Sequence, residues 1–262
     1  MLSRGRHGAP RWRSDWGDYM RFNGISPSEF NPKIFVSHEV ISSIPPRELR
    51  LLSTAQQSYL AGVQLSPREV HLHLNFAGRS LDNANAMSRQ IAGLFCKNVL
   101  SEYEPTHMPG KALSVILQSA SDPDWHWGFG VIEYVFAAPR PFYHSTAETV
   151  ITGTNHLRIE PRGSVSCRPV ISHTMAATAA ALTITVNGTT VMRIRNPIGA
   201  NLQAGQIINV DFVNRIVAIA GEAAMDYVDY TASDWHPEIL GATEIVLSDA
   251  GATTVRWVDE WF

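Results

Sequence analysis

Between Glu69 and Phe76 the chain alternates without a break: Val70, Leu72, Leu74 and Phe76 on one side, Glu69, His71, His73 and Asn75 on the other. A period of two buries one set and leaves the other on a solvated or interface-facing surface, so the segment reads as a β-strand. Further strand patterns run over Ile34–Ile41, Glu48–Ser53, Ala112–Gln118 and Gly130–Ala137. Once the period changes. Met87, Ile91, Leu94 and Phe95 recur at helical spacing, which predicts an amphipathic helix over Asn83–Lys97 with Asp82 as its N-cap. The stretch Cys96–Gly110, broken by Pro105 and Pro109, then reads as irregular.

Beyond residue 150 the pattern is short strands throughout: Ala181–Val186, Thr190–Arg195, Gln206–Val210, Arg215–Ile219, Glu238–Leu247 and Ala252–Glu260. Turn residues separate them and no helical period intervenes, which predicts an antiparallel sandwich. Asn187-Gly188 marks a hairpin. A two-residue loop sets Met192 opposite Thr183 and Arg193 opposite Leu182. A three-residue loop pairs Leu182 with Met192 and Ile184 with Thr190, keeps apolar residues together, and is the register the pattern favours. Asn187-Gly188-Thr189 is also a glycosylation sequon, which the turn explains better.

Composition adds a boundary. The 262 residues suffice for one or two domains of roughly 150 residues each. Residues 1–150 carry a net charge of +1 and residues 151–262 of −4, and all three lysines (Lys33, Lys97, Lys111) lie in the first part. The overall charge of −3 excludes a chain-wide attraction to nucleic acid or anionic membrane. No apolar run reaches the roughly 18 residues of a membrane-spanning helix. The first 21 residues lack the apolar core of a secretory signal, so synthesis in the cytoplasm without signal-directed export is expected. Cys96 and Cys167 are too few for a four-thiolate zinc site or a disulfide framework and read as small buried hydrophobes.

Candidate chemistry is sparse. There is no phosphate loop, no G-x-S-x-G elbow and no H-E-x-x-H. His71 and His73 share a strand face and could hold a metal, although an interface or solvated strand accounts for them without one. Asp122 and Asp124 beside Trp125 and Trp127 suit a sugar-hydrolysing carboxylate pair, and suit an ordinary Asp-Pro-Asp turn better. Asp226, Asp229 and Asp234 lie among Tyr227, Tyr230 and Trp235, the composition of a saccharide cleft or of an acidic interface rim. Arg4, Arg6, Arg11, Arg13 and Arg21, interleaved with Trp12 and Trp16, suit an arm that docks on another subunit more than a nucleic-acid contact.

The order of these elements resembles the distal tail proteins of long, non-contractile-tailed bacteriophages. Val70–Phe76 with Ser80–Lys97 is similar to that family's strand and helix, and Ala112–Gln118 with Gly130–Phe136 to its next strands. Val135-Phe136-Ala137-Ala138-Pro139 with Phe142-Tyr143 is similar to its domain junction. Arg168-Pro169-Val170-Ile171, Leu182–Val186, Gly205–Asp211 with Arg215-Ile216-Val217, Leu240–Ile245, Val255-Arg256-Trp257 and Trp261-Phe262 follow the second domain's motifs, with Thr243 where the family has asparagine. The long arginine-containing lead-in before Phe22-Asn23-Gly24 departs from the family.

The resemblance implies a mainly β fold in three parts. These are an N-terminal arm over 1–21, a ring-forming β-rich barrel- or sandwich-like domain over 22–150 with its helix at 83–97, and a galectin-like antiparallel β-sandwich over 151–262. It implies a homohexameric ring at the distal end of a phage tail, with DNA passing only in transit. Its partners would be the tail tube protein, the tail-tip hub protein and a receptor-binding or fibre protein, with no membrane, cofactor, metal or catalysis. The ring face would include His71, His73, Asn75 and Met87. The alternative is a carbohydrate-binding module for host-surface saccharide, using Tyr227, Tyr230 and Trp235 with Trp257 nearby. A hydrolase using Asp122 and Asp124 ranks third.

Overall fold

The computed structural model describes residues 20–31, 34–42, 44–53, 58–77, 80–126 and 129–262. The arginine- and tryptophan-bearing arm lies outside the described residues but for its last two positions, as does Trp127. The chain divides into two units between Pro141 and Phe142, ahead of the composition shift near residue 150.

The first unit is built on an antiparallel sheet in the order Arg21–Phe22, Ser101–Glu104, Lys111–Ala120, Phe129–Ala138, Arg68–Ala77, Ile34–Ile41. Alternation decides its faces. Val70, Leu72, Leu74 and Phe76 are buried on one side together with Ile132, Tyr134 and Phe136 of the neighbouring strand. Helix Leu81–Phe95 covers that side, burying Met87, Ile91 and Phe95. Phe95 stands edge-on to Tyr134 at 4.9 Å, Phe136 at 5.3 Å and Phe22 at 4.8 Å. Each such pair contributes about 0.5–1.5 kcal/mol beyond its buried area.

The helix starts earlier than its apolar spacing predicts. Ser80, not Asp82, is the N-cap, its hydroxyl accepting from Asn83 N, while Asp82 stands in the first turn where a negative charge suits the helix dipole. It ends at Phe95, leaving Cys96 as an exposed C-cap, so this cysteine is not the buried residue expected. The stretch read as irregular contains the strand Ser101–Glu104, where Ser101 and Tyr103 alternate inward over too few residues to register as a pattern. Asp124–His126 adds a short strand beside Phe129–Val131. Gly130 is required there, because a Cβ would collide with the Phe76 ring. Strands Arg47–Ser53 and Ser58–Leu65 form a hairpin that pairs with no other described strand.

The second unit is a sandwich of two antiparallel sheets. One runs Thr149–Gly153, Ala252–Trp257, Val170–Thr174, Ile207–Asp211, Ile216–Ile219, Glu222–Ala223; the other runs His156–Ile159, Thr243–Leu247, Ala181–Val186, Thr189–Arg195. Their inner faces meet in one core, with Ile171, Val210 and Val255 from the first sheet against Leu182, Ile184, Ile194 and Ile245 from the second. Cys167 is buried in it, and that burial pushes its thiol up to about 12.

The hairpin register differs from the one the pattern favours. Asn187 and Gly188 both have positive φ, +48° and +82°, so the loop has two residues, and Val186 faces Thr189. A bulge at Val191 then restores the apolar pairing, setting Ile184 opposite Met192 and Leu182 opposite Ile194. One extra residue on one strand shifts the register by one, which the even alternation of an ideal strand does not anticipate. The expected strand Glu238–Leu247 begins only at Thr243, after Gly241 at φ +65°.

Candidate functional site

On the outward face of the first unit's sheet, His71 Nδ1 lies 2.9 Å from Glu133 Oε1, and His71 Nε2 lies 3.4 Å from Glu69 Oε2. His73 Nε2 lies 3.7 Å from the same Glu133 oxygen, and its ring is 5.6 Å from that of His38. The cross-strand register His73–Glu133 creates this group. The hydrogen bond with Glu133 raises the His71 pKa against the opposing effect of partial burial, with Glu69 adding to the rise. The same bond lowers the Glu133 carboxyl. Among the described residues no group of three or more His, Cys, Asp or Glu is arranged to hold a metal ion. Asn75 is half-buried on the same face. Met87 is not on it. Its side chain is 4% exposed beneath the helix, so it is removed from the surface that could meet a partner.

Asp122 and Asp124 are exposed, and Asp124 opens the strand Asp124–His126 rather than ending a turn. The neighbouring Trp125 is half-buried, 5.7 Å from the Phe76 ring. It is thus a covering residue of the sheet.

In the second unit the three aromatics point to different tasks. Tyr227 sits on the turn Met225–Tyr227 and its hydroxyl accepts from Asn196 Nδ2 at 3.1 Å. Tyr230 is 60% exposed and its hydroxyl donates to Met225 O. Trp235 packs on the core, edge-on to Phe212 at 5.9 Å. Trp257 is buried and donates from Nε1 to Asp259 Oδ1 at 3.0 Å. Asp226 is exposed on the same turn as Tyr227.

A concave site does exist nearby, and none of these aromatics lines it. A cavity of about 590 Å³ opens on the outer face of the hairpin Ala181–Arg195, with Thr183, Thr190 and Arg193 beneath and Thr231, Ser233 and Asp234 beside it. The flanking loop is tied to the edge strand: Asp229 N donates to Arg193 O at 2.9 Å, Asp234 N to Val191 O at 2.8 Å, and Arg193 N to Ser233 Oγ at 3.1 Å. These bonds also blunt the strand edge, which would otherwise be free to pair with another chain. Asp229 pairs with Arg195 at 3.3 Å and accepts from Thr231 Oγ1 at 2.6 Å. That hydroxyl, with the charges of Arg195 and Arg193, holds its carboxyl below the usual range despite burial. Sequence reasoning missed Thr183 and Arg193, whose only signal was their outward place in an alternating pair of strands.

Comparison with known proteins places this architecture. Residues 162–261 match the family model of the siphovirus-type tail component, C-terminal domain. The crystal structure of the Dit protein (gp 19.1) of phage SPP1, described as a paradigm of the hub adsorption apparatus in phages infecting Gram-positive bacteria, superposes with a TM-score of 0.76 and 12% identity. The match spans 93% of this chain and 99% of that one. A chain of the phage P2 baseplate in its activated conformation with Ca aligns at a TM-score of 0.45 and 8% identity, over 87% of this chain and 91% of that one. No curated protein matches the sequence. The siphovirus tail-component resemblance read in the sequence is thus borne out over residues 162–261 by the domain match, and the chain as a whole shares the β-rich fold of the Dit protein.

Proposed function

We propose that this protein is a structural, non-catalytic hub of a phage tail tip or baseplate. Six copies would form a ring around the DNA channel, joining the tail tube protein to the tail-tip hub protein and to a receptor-binding or fibre protein. The protein would reside in the virion, at the distal end of the tail, after synthesis in the bacterial cytoplasm. The observation that carries the reading is that the tail-component domain match falls in the second unit while the same Dit fold extends over both.

The first unit has features that association would satisfy. Its hairpin Arg47–Leu65 pairs only with itself among the described strands, and an isolated two-stranded ribbon is marginal in water. At the hairpin's root a cavity of about 640 Å³ is lined by Val40, Pro46, Pro67, Glu69, His71 and Ala137. Ile44 and Leu49, on and beside the hairpin, are 63% and 58% exposed. These features support a ring face on this unit that includes His71, His73 and Asn75. In a cyclic ring one patch meets a different patch on the next copy, so a hairpin and a distant sheet face can be partners.

Negative-stain microscopy of the purified protein, alone and with tail tube protein, tests this. Six-fold rings with a central channel are expected. Particles that remain single copies under both conditions would overturn it.

A further inference from the structure

We infer that the cavity on the outer face of the Ala181–Arg195 hairpin is a binding site for a neutral saccharide. Three observations carry this. The site is built before any ligand arrives, because its flanking loop is held to the edge strand by three hydrogen bonds through Asp229, Ser233 and Asp234. With a volume of about 590 Å³ it is a broad, solvent-open depression lined by polar side chains, wide enough for a small polar ligand. Its polar groups are of the types that sugar hydroxyls need, since each hydroxyl both donates and accepts.

Arg193 supplies donors only, Asp234 supplies an acceptor, and the threonine hydroxyls supply both. Thr183 and Arg193 face one another across the two strands, which places a hydroxyl and a guanidinium side by side on the floor. Arg195 already holds Asp229, and among the described residues no carboxylate comes within ion-pair distance of Arg193. Asp234 spends one oxygen on His236 N at 2.8 Å. The second oxygen is left for a ligand.

Charge decides the ligand class. Asp234 in the lining and Asp229 beside Arg193 offset the guanidinium, so an inorganic anion gains little there, whereas an uncharged polyol pays no electrostatic penalty. No aromatic ring lines the cavity, and Trp235 is committed to Phe212. Recognition thus rests on hydrogen bonds without a stacking platform, and each copy binds weakly. The inference stands independently of the ring.

Saturation-transfer NMR of the full chain with galactose, glucose, N-acetylglucosamine and lactose tests it. A saturable signal from at least one of them is expected, undisturbed by inorganic phosphate. Arg193→Met and Asp234→Asn should each weaken it by about tenfold or more, and Thr183→Val, which keeps side-chain volume at a half-buried position, should weaken it less. Arg158→Met, on another strand of the same sheet, should leave it unchanged. No saturable signal from any of the four sugars, displacement by phosphate, or equal affinity in both the Arg193 and Asp234 variants would each overturn the inference, with circular dichroism confirming that the variants are folded.

Discussion

Asp249 Oδ1 accepts a hydrogen bond from His173 Nε2 at 3.0 Å, and both side chains are buried inside the second unit. The same carboxylate accepts from Ala176 N at 2.6 Å, Ala177 N at 3.2 Å and Gly251 N at 3.0 Å, and His173 Nδ1 reaches Thr253 Oγ1 at 2.8 Å. Thr253, His173 and Asp249 lie in a line that superficially resembles a nucleophile, base and orienting acid. Burial makes it a clasp between the Val170–Thr174 and Ala252–Trp257 strands rather than a site open to substrate.

Burial alone pushes the Asp249 carboxyl up, but the hydrogen bonds from Ala176, His173, Ala177 and Gly251 outweigh it and leave the pKa below its ordinary value. A depressed folded pKa contributes stability above the unfolded value, near 3.8, and that contribution is lost as pH falls through the lower folded value. Thermal unfolding followed between pH 5 and roughly pH 2 should therefore show the wild type losing stability in this window and Asp249→Asn losing less. Removing one hydrogen-bonding partner from a buried polar group costs about 1–3 kcal/mol, so His173→Ala should lower the unfolding midpoint of the second unit at pH 7.

For His71 the sign is opposite. Its pKa is raised, chiefly by the hydrogen bond with Glu133, so the pair's contribution is present below about 6.5 and lost as pH rises through the higher folded value. Both side chains are 37% exposed, so the effect on stability is small. An NMR titration of the imidazole should nonetheless find His71 titrating above 6.5, and Glu133→Gln should bring it down.

Gly130→Ala should destabilise the first unit by about 1–3 kcal/mol, because the added Cβ must displace the Phe76 ring and the adjoining Trp125. Chemical denaturation measures this directly. The cavity-making Phe76→Leu/Gly130→Ala double variant should recover part of the loss, since the ring that obstructs the methyl is gone.

Gly188→Val places a β-branched residue at φ +82° and should cost about 1–2 kcal/mol or more in the second unit, while Asn187→Gly should cost little. Equilibrium unfolding separates the two. Equal losses would show that the two-residue turn is not what holds the bulged register.

Legibility followed the length and regularity of the pattern. The eight-residue alternation Glu69–Phe76 and the Ala181–Val186 strand were readable to within two residues, because each presents one buried face without interruption. Ile34–Ile41 was readable from its β-branched run, although its register shifts between Val36 and His38 and Val40 is exposed. The Ser101–Glu104 strand was not, since two inward residues cannot establish a period. The hairpin register was missed because a bulge at Val191 lets two adjacent residues, Val191 and Met192, both point inward. At the candidate sites, sequence distance misled. Trp235 next to Asp234 looked like one cleft, yet the tryptophan packs on the core while the aspartate lines a depression together with Thr183 and Arg193 of the Ala181–Arg195 hairpin. His71 and His73 were visible as a face, but the Glu133 that hydrogen-bonds His71 arrives from a strand some 60 residues on.

If the first unit carries the ring, introducing or reversing a charge there should abolish assembly and leave the second unit folded. Leu49→Glu on the hairpin and Glu133→Lys on the sheet face are the variants of choice. The expected result is a smaller sedimenting species with the same second-unit unfolding transition as the wild type.

The most direct test of the central claim is the mass of the full chain in solution by sedimentation equilibrium across a concentration series, with tail tube protein added in a parallel series. The account predicts a species of six times 28.9 kDa, alone or on adding the tube protein, that Leu49→Glu and Glu133→Lys dissociate. A species that stays at 28.9 kDa in both series, or a hexamer that neither substitution weakens, would contradict it.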